Sequence, residues 1–528
     1  MCNYLLAIMN NPIIKRLGLF FIISFCVLFL LSPDSYTHDL YDRIDTGWFF
    51  TCGKAWMNGM IPYVDFADSK GPLLWLIYGV GYLLSPHNYI GMFWISVFLY
   101  TAIFYLVYKT ANIFLNKSDD SIIIAIMMIT SFFCRWYHYE IRAEDFNLLF
   151  VSLLFYRFCL LLYTEEGKNN KNVNKTCFIF GLSIAATLLI KYNATAMIGL
   201  VGFYLIYAII REKRNLLFSI LFAFVGFVSI IIPFFVYMLL IGNFDAFIQE
   251  YFLNTIKTID SFNNTNSYLK EWLFLTYDTV FVILFFISLL GSILMSRMVK
   301  KYNYFFLISF LCFYAISIHH SSSYRIQYMD ICLYFPIWLC IAIIKYARLY
   351  FDNYKKKISY VTSFLVIYTF ISNMFNQGYL CQSLFFNNND GRKYFYETAY
   401  FLSQVEKPTI IYFGDLERGI STPAEALPGS KYWSLQMHAT KEMINTQQHD
   451  ALKGTSDFIL TSDYDSSLSM KTRDSLLTAA GYHEVYRKYY GTSTHYLYTK
   501  HHLKTLPDNF YISNLDVLFK INPLKNYD

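Results

Sequence analysis

Charge is what this sequence has least of. Asp, Glu, Lys and Arg make up 15% of its 528 residues, against about a quarter in a typical globular chain. An ordinary water-soluble enzyme is excluded by that shortage. Cysteine is present ten times but never as C-x-x-C, and most of the ten lie inside apolar runs, where cysteine packs as a small hydrophobe. A disulfide framework and a zinc ribbon are therefore not expected. The formal charge is only +6, and no Lys/Arg-rich tract has the form of a nucleic-acid-binding arm. G-x-S-x-G, H-E-x-x-H and a glycine-rich phosphate loop are all missing, which removes the common hydrolase, metalloprotease and nucleotide-binding signatures.

Aromatic residues are abundant instead, with 47 Tyr, 51 Phe and 8 Trp. Apolar stretches approaching the ~20 residues needed to cross a bilayer as helix recur from Leu17 to about Phe375. The spans read as roughly 14–33, 88–108, 121–134, 146–163, 176–190, 194–210, 216–241, 272–296, 304–318, 328–344 and 358–377. The first follows Lys15 and Arg16 and ends in Leu-Ser-Pro-Asp without a small-residue cleavage site, so it reads as an uncleaved anchor. The expectation is an α-helical polytopic membrane protein with about eleven spans.

Orientation follows from the cations, because Lys and Arg are retained on the cytoplasmic side. With the N-terminus inside, the inner loops hold eighteen of them, among them Arg211, Lys213 and Arg214, and Lys355, Lys356 and Lys357. The outer loops hold nine: Arg43, Lys54, Lys70, Arg135, Arg142, Lys191, Lys257, Lys270 and Arg325. This alternation requires that Pro72–Leu84 not be a span. Thirteen residues cover about 20 Å as helix, short of a ~30 Å hydrocarbon core. That segment and Asp45–Gly59, with Trp48, Phe49, Cys52 and Trp56 on one face, read as two juxtamembrane helices in the external loop 34–87. Residues 1–380 would thus form the membrane domain. Residues 381–528, where acids, amides and glycine return, read as a soluble external α/β domain. Its strands are expected at Thr409–Phe413, Asp457–Leu460, Tyr482–Tyr490 and Ser493–Thr499, and its helices at Ala424–Ala426 and Asp474–Gly481.

Polar residues collect near the outer face. The first external loop offers Asp34, Asp39, Asp42, Asp45, Asp65, Asp68 and Lys70. The second offers Arg135, His138, Glu140, Arg142, Glu144 and Asp145, the third Lys191, and the fifth His319, His320, Tyr324, Arg325 and Tyr328. A cation set against an apolar run is costly unless it snorkels or pairs, and topology does not account for Lys70, Arg142, Lys191 or Arg325. Cations beside an acid at headgroup depth suit one chemistry: they hold a lipid-linked phosphate while the carboxylate takes a proton from an attacking hydroxyl. Each residue also has a plainer role available. Asp45 suits a helix N-cap, Lys70 and Lys191 suit headgroup anchors, Arg142 and Glu144 suit mutual pairing, Arg325 suits an exposed loop and Asp68 a turn. Adjacent His319 and His320 cannot both face one ion from a helix, so no metal or other cofactor is expected.

Asp45-Thr-Gly-Trp-Phe, then Gly59-x-x-Pro62-Tyr63-x-Asp65, then Asp68-x-Lys70-Gly71-Pro72-Leu73-Leu74, resembles the first external loop of GT-C membrane glycosyltransferases. The nearest subgroup is the bacterial relatives of the dolichyl-phosphate-mannose:protein mannosyltransferases and of the lipid A aminoarabinose transferases. Arg142-Ala-Glu144 is similar to the second polar cluster of that group, and Tyr328 with Pro336 to its late H-Y…P helix start. Lys70-Gly71-Pro72 replaces the usual His-Pro-Pro or Lys-Pro-Pro, and Gln327 stands where a His precedes the tyrosine. The resemblance spans about 1–380. It implies a sugar moved from a polyprenyl-phosphate carrier to a glycan, lipid or protein of the cell envelope, at the outer face of a bacterial inner membrane, by a single inverting displacement without a metal. It further implies Asp45 as base, with Glu144 as second catalytic candidate, and a donor and substrate site drawn from Tyr63, Asp68, Lys70, Arg142, Lys191, Arg325 and Tyr328. A polysaccharide polymerase or O-antigen ligase, and a lipid-linked glycan flippase, are the alternatives. The 242–271 loop has no Arg, unlike the late loops of polymerases and ligases, and mid-span charges with repeated halves, expected of a transporter, are not evident.

Overall fold

The computed structural model describes residues 11–38, 44–133, 140–254, 279–320, 326–375, 389–414, 416–435, 439–463, 470–510 and 524. The chain divides into two compact units. The first comprises residues 1–31, 96–234 and 266–380, and the second residues 32–95, 235–265 and 381–528.

In chain order the helices are α1 (Pro12–Leu31), α2 (Ile44–Met57), α3 (Pro72–Leu84), α4 (Ile90–Leu115), α5 (Ser118–Phe132), α6 (Ala143–Tyr163), α7 (Asn170–Ile190), α8 (Asn193–Arg211), α9 (Leu216–Leu240), α10 (Thr279–Met298), α11 (Phe305–His320), α12 (Ile337–Tyr350) and α13 (Tyr354–Phe375). Each of the eleven apolar stretches contains one, the tenth beginning as a 3-10 helix, Ile326–Tyr334, before α12. Seven described segments are long and apolar enough to cross a membrane: α1, α4, α6, α7, Ala194–Arg211, α9 and Met329–Tyr350.

The first unit is packed by aromatic rings. Phe155 of α6 lies 5.2 to 6.0 Å from Tyr334, Phe335, Phe313, Phe305 and Trp338, stacked on Tyr334 and tilted or edge-on to the other four, at separations that π quadrupoles favour. Other helix faces keep large apolar side chains exposed, Phe224 and Leu240 on α9 and Phe364 and Tyr368 on α13 among them. In a bilayer such faces meet lipid, which costs nothing. Away from them, Arg348 donates through Nε to Asp120 at 2.8 Å and through Nη1 to the Leu115 carbonyl at 2.8 Å, so a cation at a helix end is matched to an acid and a spent carbonyl.

The second unit contains both juxtamembrane helices and the sheet. α2 and α3 cross at glycine: a Cβ on Gly53 would collide with the backbone of Tyr78 and Gly79. Beyond α14 (Asn389–Ser403), the sheet comprises β1 (Thr409–Phe413), β2 (Leu427–Pro428), β3 (Phe458–Ser462), β4 (His483–Tyr490) and β5 (Ser493–Thr499), in the order β2-β1-β3-β5-β4. β1 runs parallel to β2 and β3, and β5 runs antiparallel to β3 and β4. Parallel strands covered on both faces read as unbroken apolar runs, and β3 is buried throughout. Ile411, Phe413, Ile459 and Tyr498 from the sheet meet Ala451 of α15 (Lys441–Lys453) and Leu477 of α16 (Met470–Ala479) in one core. The edge strand β4 exposes Glu484 and carries Arg487 and Lys488, charges that discourage further pairing.

The strands and α16 fall where the pattern placed them, within a few residues. Ala424–Ala426 does not form a helix. Glu425 takes a left-handed φ of 52°, which an α-helix of L-residues does not admit, and the turn feeds β2 directly.

Candidate active site

Asp45 stands in the first turn of α2, where a carboxylate is favoured by the exposed N–H groups and the helix dipole. Two residues on, Gly47 leaves no room for a side chain, since a Cβ there would lie 2.6 Å from the Gly419 nitrogen. Trp48 packs against Trp433 at 5.3 Å between ring centroids. Phe49, four residues after Asp45 and so on the same helix face, sits edge-on to Tyr78 of α3 at 5.5 Å.

The loop between α2 and α3 is wound tightly. Tyr63 has a φ of 65°, a left-handed conformation that costs a bulky residue about 1–3 kcal/mol. What holds it is its surroundings: its N–H donates to the Phe66 carbonyl at 2.7 Å, its hydroxyl to the Lys70 carbonyl at 2.9 Å, and its ring stacks 4.6 Å from Trp75 and 5.3 Å from Phe247. Burial pushes the Tyr63 phenol far above its ordinary range, so it acts as a hydrogen-bond donor and not as a base. Asp65 accepts from the Ile61 N–H at 2.6 Å, and Asn243 donates to the Pro62 carbonyl at 2.7 Å. Asp68 accepts from the Ser69 N–H at 2.6 Å. The Lys70 ammonium lies 3.3 Å from Ser69 Oγ, 4.0 Å from Asp68 Oδ2 and 5.5 Å over the Phe49 ring. Lys70 thereby lies over the ring of a residue one helical turn after Asp45.

The first unit holds a second charged group. Asp145 accepts from the Arg142 N–H at 2.9 Å, closing the start of α6, and takes a further bond from the Tyr100 hydroxyl at 2.7 Å. Arg142 lies 3.5 Å from Glu140, and Lys191, at the end of α7, is bonded to Glu144. The Lys191 carbonyl accepts from Asn147 at 3.4 Å. Arg142, Glu144, Asp145 and Lys191 are all at most 7% exposed. Both cations are thus already met by carboxylates, and a phosphate binding there must compete with Glu140 and Glu144.

Tyr328 lies in the 3-10 helix before α12, with its side chain outside the described set, as are the side chains of His319 and His320. Arg325, Tyr324, Arg135, His138, Asp39 and Asp42 also fall outside the described residues.

Three charged residues are not among the sequence candidates for the site, although Lys54 is counted as an outer cation. Lys54 of α2 and Glu417 are each 0% exposed. Burial pulls the Lys54 amine down to about 8, against the opposing fields of Glu417 and Glu425, and Lys54 donates to the Ser421 carbonyl at 2.8 Å. Burial raises the Glu417 carboxyl, although Tyr412, Ser421, Lys54 and the Gly419 N–H all favour its charged form. Glu250, in the π-helical turn Ile248–Leu253, accepts from Lys431 at 2.6 Å and from the Tyr432 hydroxyl at 2.9 Å. The only hint in the sequence was a lysine in the middle of an aromatic helix.

The multispanning helical arrangement with paired juxtamembrane helices and a small C-terminal sheet is the fold of solved GT-C membrane proteins. Residues 53–247 match the family model for dolichyl-phosphate-mannose-protein mannosyltransferase. The structure is similar to ArnT from Cupriavidus metallidurans in its apo state, at 10% identity and a TM-score of 0.59, over 91% of this chain and 97% of that one. It is also similar to the same enzyme bound to undecaprenyl phosphate, at 11% and 0.61 over the same shares. A third likeness is to the Archaeoglobus fulgidus oligosaccharyltransferase tethered to an acceptor peptide with an NVT sequon, at 12% and 0.53, over 95% of this chain and 76% of that one. No curated protein matches the chain by sequence. The resemblance read from residues 45–74 and the fold therefore agree.

Proposed function

We propose that this chain transfers a sugar from a polyprenyl-phosphate carrier to a glycan, lipid or protein acceptor of the cell envelope. The observation that carries the reading is Lys70, held over Phe49 one helical turn from Asp45. Asp45 takes the proton of the acceptor hydroxyl as its oxygen attacks the anomeric carbon. The bond from that carbon to the phosphate oxygen breaks, and the carrier leaves as polyprenyl phosphate with its developing charge facing the Lys70 ammonium. Attack opposite the leaving group inverts the anomeric centre, and proton and charge are handled by these two side chains without a metal. Asp68 and Tyr63 hold Lys70 in register, through the ammonium and the carbonyl respectively. Arg142, Glu144 and Lys191 are assigned to the substrate cavity, with Glu144 the alternative base. The polyprenyl-phosphate ligand of the ArnT structure supports the donor class. The N-terminus is assigned to the cytoplasm, and residues 34–87 and 381–528 to the outer side of the inner membrane, the latter as a domain that does not itself perform the transfer.

The test is turnover in membranes supplied with polyprenyl-phosphate sugar. Asn caps a helix about as well as Asp, so Asp45→Asn preserves folding while removing the proton acceptor. It is expected to lose about 10²–10⁴ in kcat. Lys70→Met is expected to raise the donor KM as well as slow turnover. Near-wild-type turnover by Asp45→Asn refutes the base assignment and moves it to Glu144.

A further inference from the structure

The element that carries Asp45 is poorly equipped to hold itself in place. α2 has 14 residues, about the length at which isolated helices are marginal in water, and glycines at positions 47 and 53 weaken it further. Besides α3, which packs on Gly53 and Phe49, a loop far along the chain holds it. The Lys54 amine reaches the Ser421 carbonyl at 2.8 Å across 367 residues of sequence. The Gly419 backbone lies so close to Gly47 that neither a Cβ nor a water fits between them. Tyr89 and Thr422 share a hydroxyl contact at 2.9 Å on the same side.

The loop is in turn organised around one buried carboxylate. Glu417 accepts from the Gly419 N–H at 2.6 Å and from the Ser421 hydroxyl at 2.8 Å, while Ser421 also meets the Tyr412 hydroxyl of β1 at 2.9 Å. The two residues that Glu417 positions both touch α2: Gly419 against the Asp45 end, and Ser421 against Lys54.

We propose that Glu417 is a positioning residue for the transfer reaction, its loop clamping the first turn of α2 so that Asp45 is held against the Lys70 face. The proposal rests on the reading of Asp45 as base. It gives the C-terminal sheet a part in catalysis without any reacting group of its own. A misplacement of about 1 Å in a catalytic group can cost about 10²-fold in rate, so a loosened clamp is expected to act on kcat.

Glu417→Gln in the full-length chain, in lipid nanodiscs, keeps the shape of the side chain and removes the countercharge of Lys54. Amide hydrogen exchange over residues 44–50 is expected to quicken at least about tenfold. Turnover is expected to fall about tenfold or more, with the donor KM within about twofold of wild type. Glu417→Gln added to Asp45→Asn is expected to slow the reaction no further, because the clamp acts through Asp45. Wild-type exchange at 44–50 in Glu417→Gln overturns the clamp. Losses that multiply with those of Asp45→Asn overturn the positioning role and leave general loosening. Near-wild-type turnover by Asp45→Asn overturns the base reading instead, so the two failures are told apart.

Discussion

Glu144 and Lys191 offer a test that separates stability from chemistry. The two side chains are bonded to each other, with Glu144 3% and Lys191 9% exposed at the side chain. Glu144→Gln leaves the Lys191 ammonium buried without its countercharge, and breaking a buried pair in this way costs about 3–5 kcal/mol. For a chain of this size that amounts to a fall in Tm of roughly 5 °C. Replacing both partners, Glu144→Gln with Lys191→Met, removes the uncompensated charge and is expected to bring Tm back to within about 1–2 °C of wild type. Thermal unfolding in nanodiscs and turnover with polyprenyl-phosphate sugar are then read on the same three proteins. If the pair lines the substrate cavity, the double variant regains its stability but stays at least about tenfold slow. If turnover returns together with Tm, Glu144 serves only as the partner of Lys191, and its place in the site is refuted. An unchanged Tm in Glu144→Gln contradicts the energetic argument itself.

The remaining predictions concern the second unit. The Lys54 amine titrates at about 8 in the folded chain against a usual 10.5, so between those values the unfolded chain holds more protons. The Lys54 contribution to stability is full above 10.5 and is lost as pH falls through 8; Tm should therefore rise from pH 8 to 9.5, at about 1.4 kcal/mol per pH unit, and a Lys54→Met variant whose Tm shows the same rise refutes this. Gly53→Ala drives a methyl into the α3 backbone at Tyr78 and Gly79, for an expected loss of about 1–3 kcal/mol and poor folding yield, whereas alanine at the open position Gly18 should be tolerated. Leu84, exposed at the end of α3, should as Leu84→Cys react with a membrane-impermeant thiol reagent added from outside; labelling only from the cytoplasmic side would invert every later loop.

Hydropathy placed the spans because a helix in lipid needs a continuous apolar run, a local property of the sequence. The juxtamembrane helices were legible for the same reason: Trp48, Phe49 and Cys52 recur at helical spacing, and Pro72 opens α3 at a position where its missing N–H costs nothing. Strands β1 and β3 showed as short apolar runs. Contacts between distant segments were not legible. Nothing local marks Lys54 as buried, since its partners Ser421 and Glu417 lie more than 360 residues away, and Glu417 sits in a stretch that reads as polar loop. The turn at Glu425 defeated the helical reading of Ala424–Ala426 because three residues with alanine at either end carry too little information to exclude a left-handed φ. Among the candidate residues, Asp45, Lys70 and Asp68 were proposed from a motif, whereas the pairing of Lys191 with Glu144 depends on where α7 ends relative to α6.

The long reach between Lys54 and Ser421 also sets an order of events in the life of the chain. Trp48, Phe49 and Cys52 are made early, yet the surface that covers Trp48, at Trp433, is made near the end. At a synthesis rate of about 5–20 residues per second, the 367 residues between Lys54 and Ser421 take roughly 20–70 s. Throughout that interval Trp48 lacks its Trp433 cover and the Lys54 amine lacks the Ser421 carbonyl. Shielding by lipid or by a chaperone during this wait is what the topology demands of its host, and variants that shorten the half-life of the nascent chain are expected to map to α2 before they map to the spans.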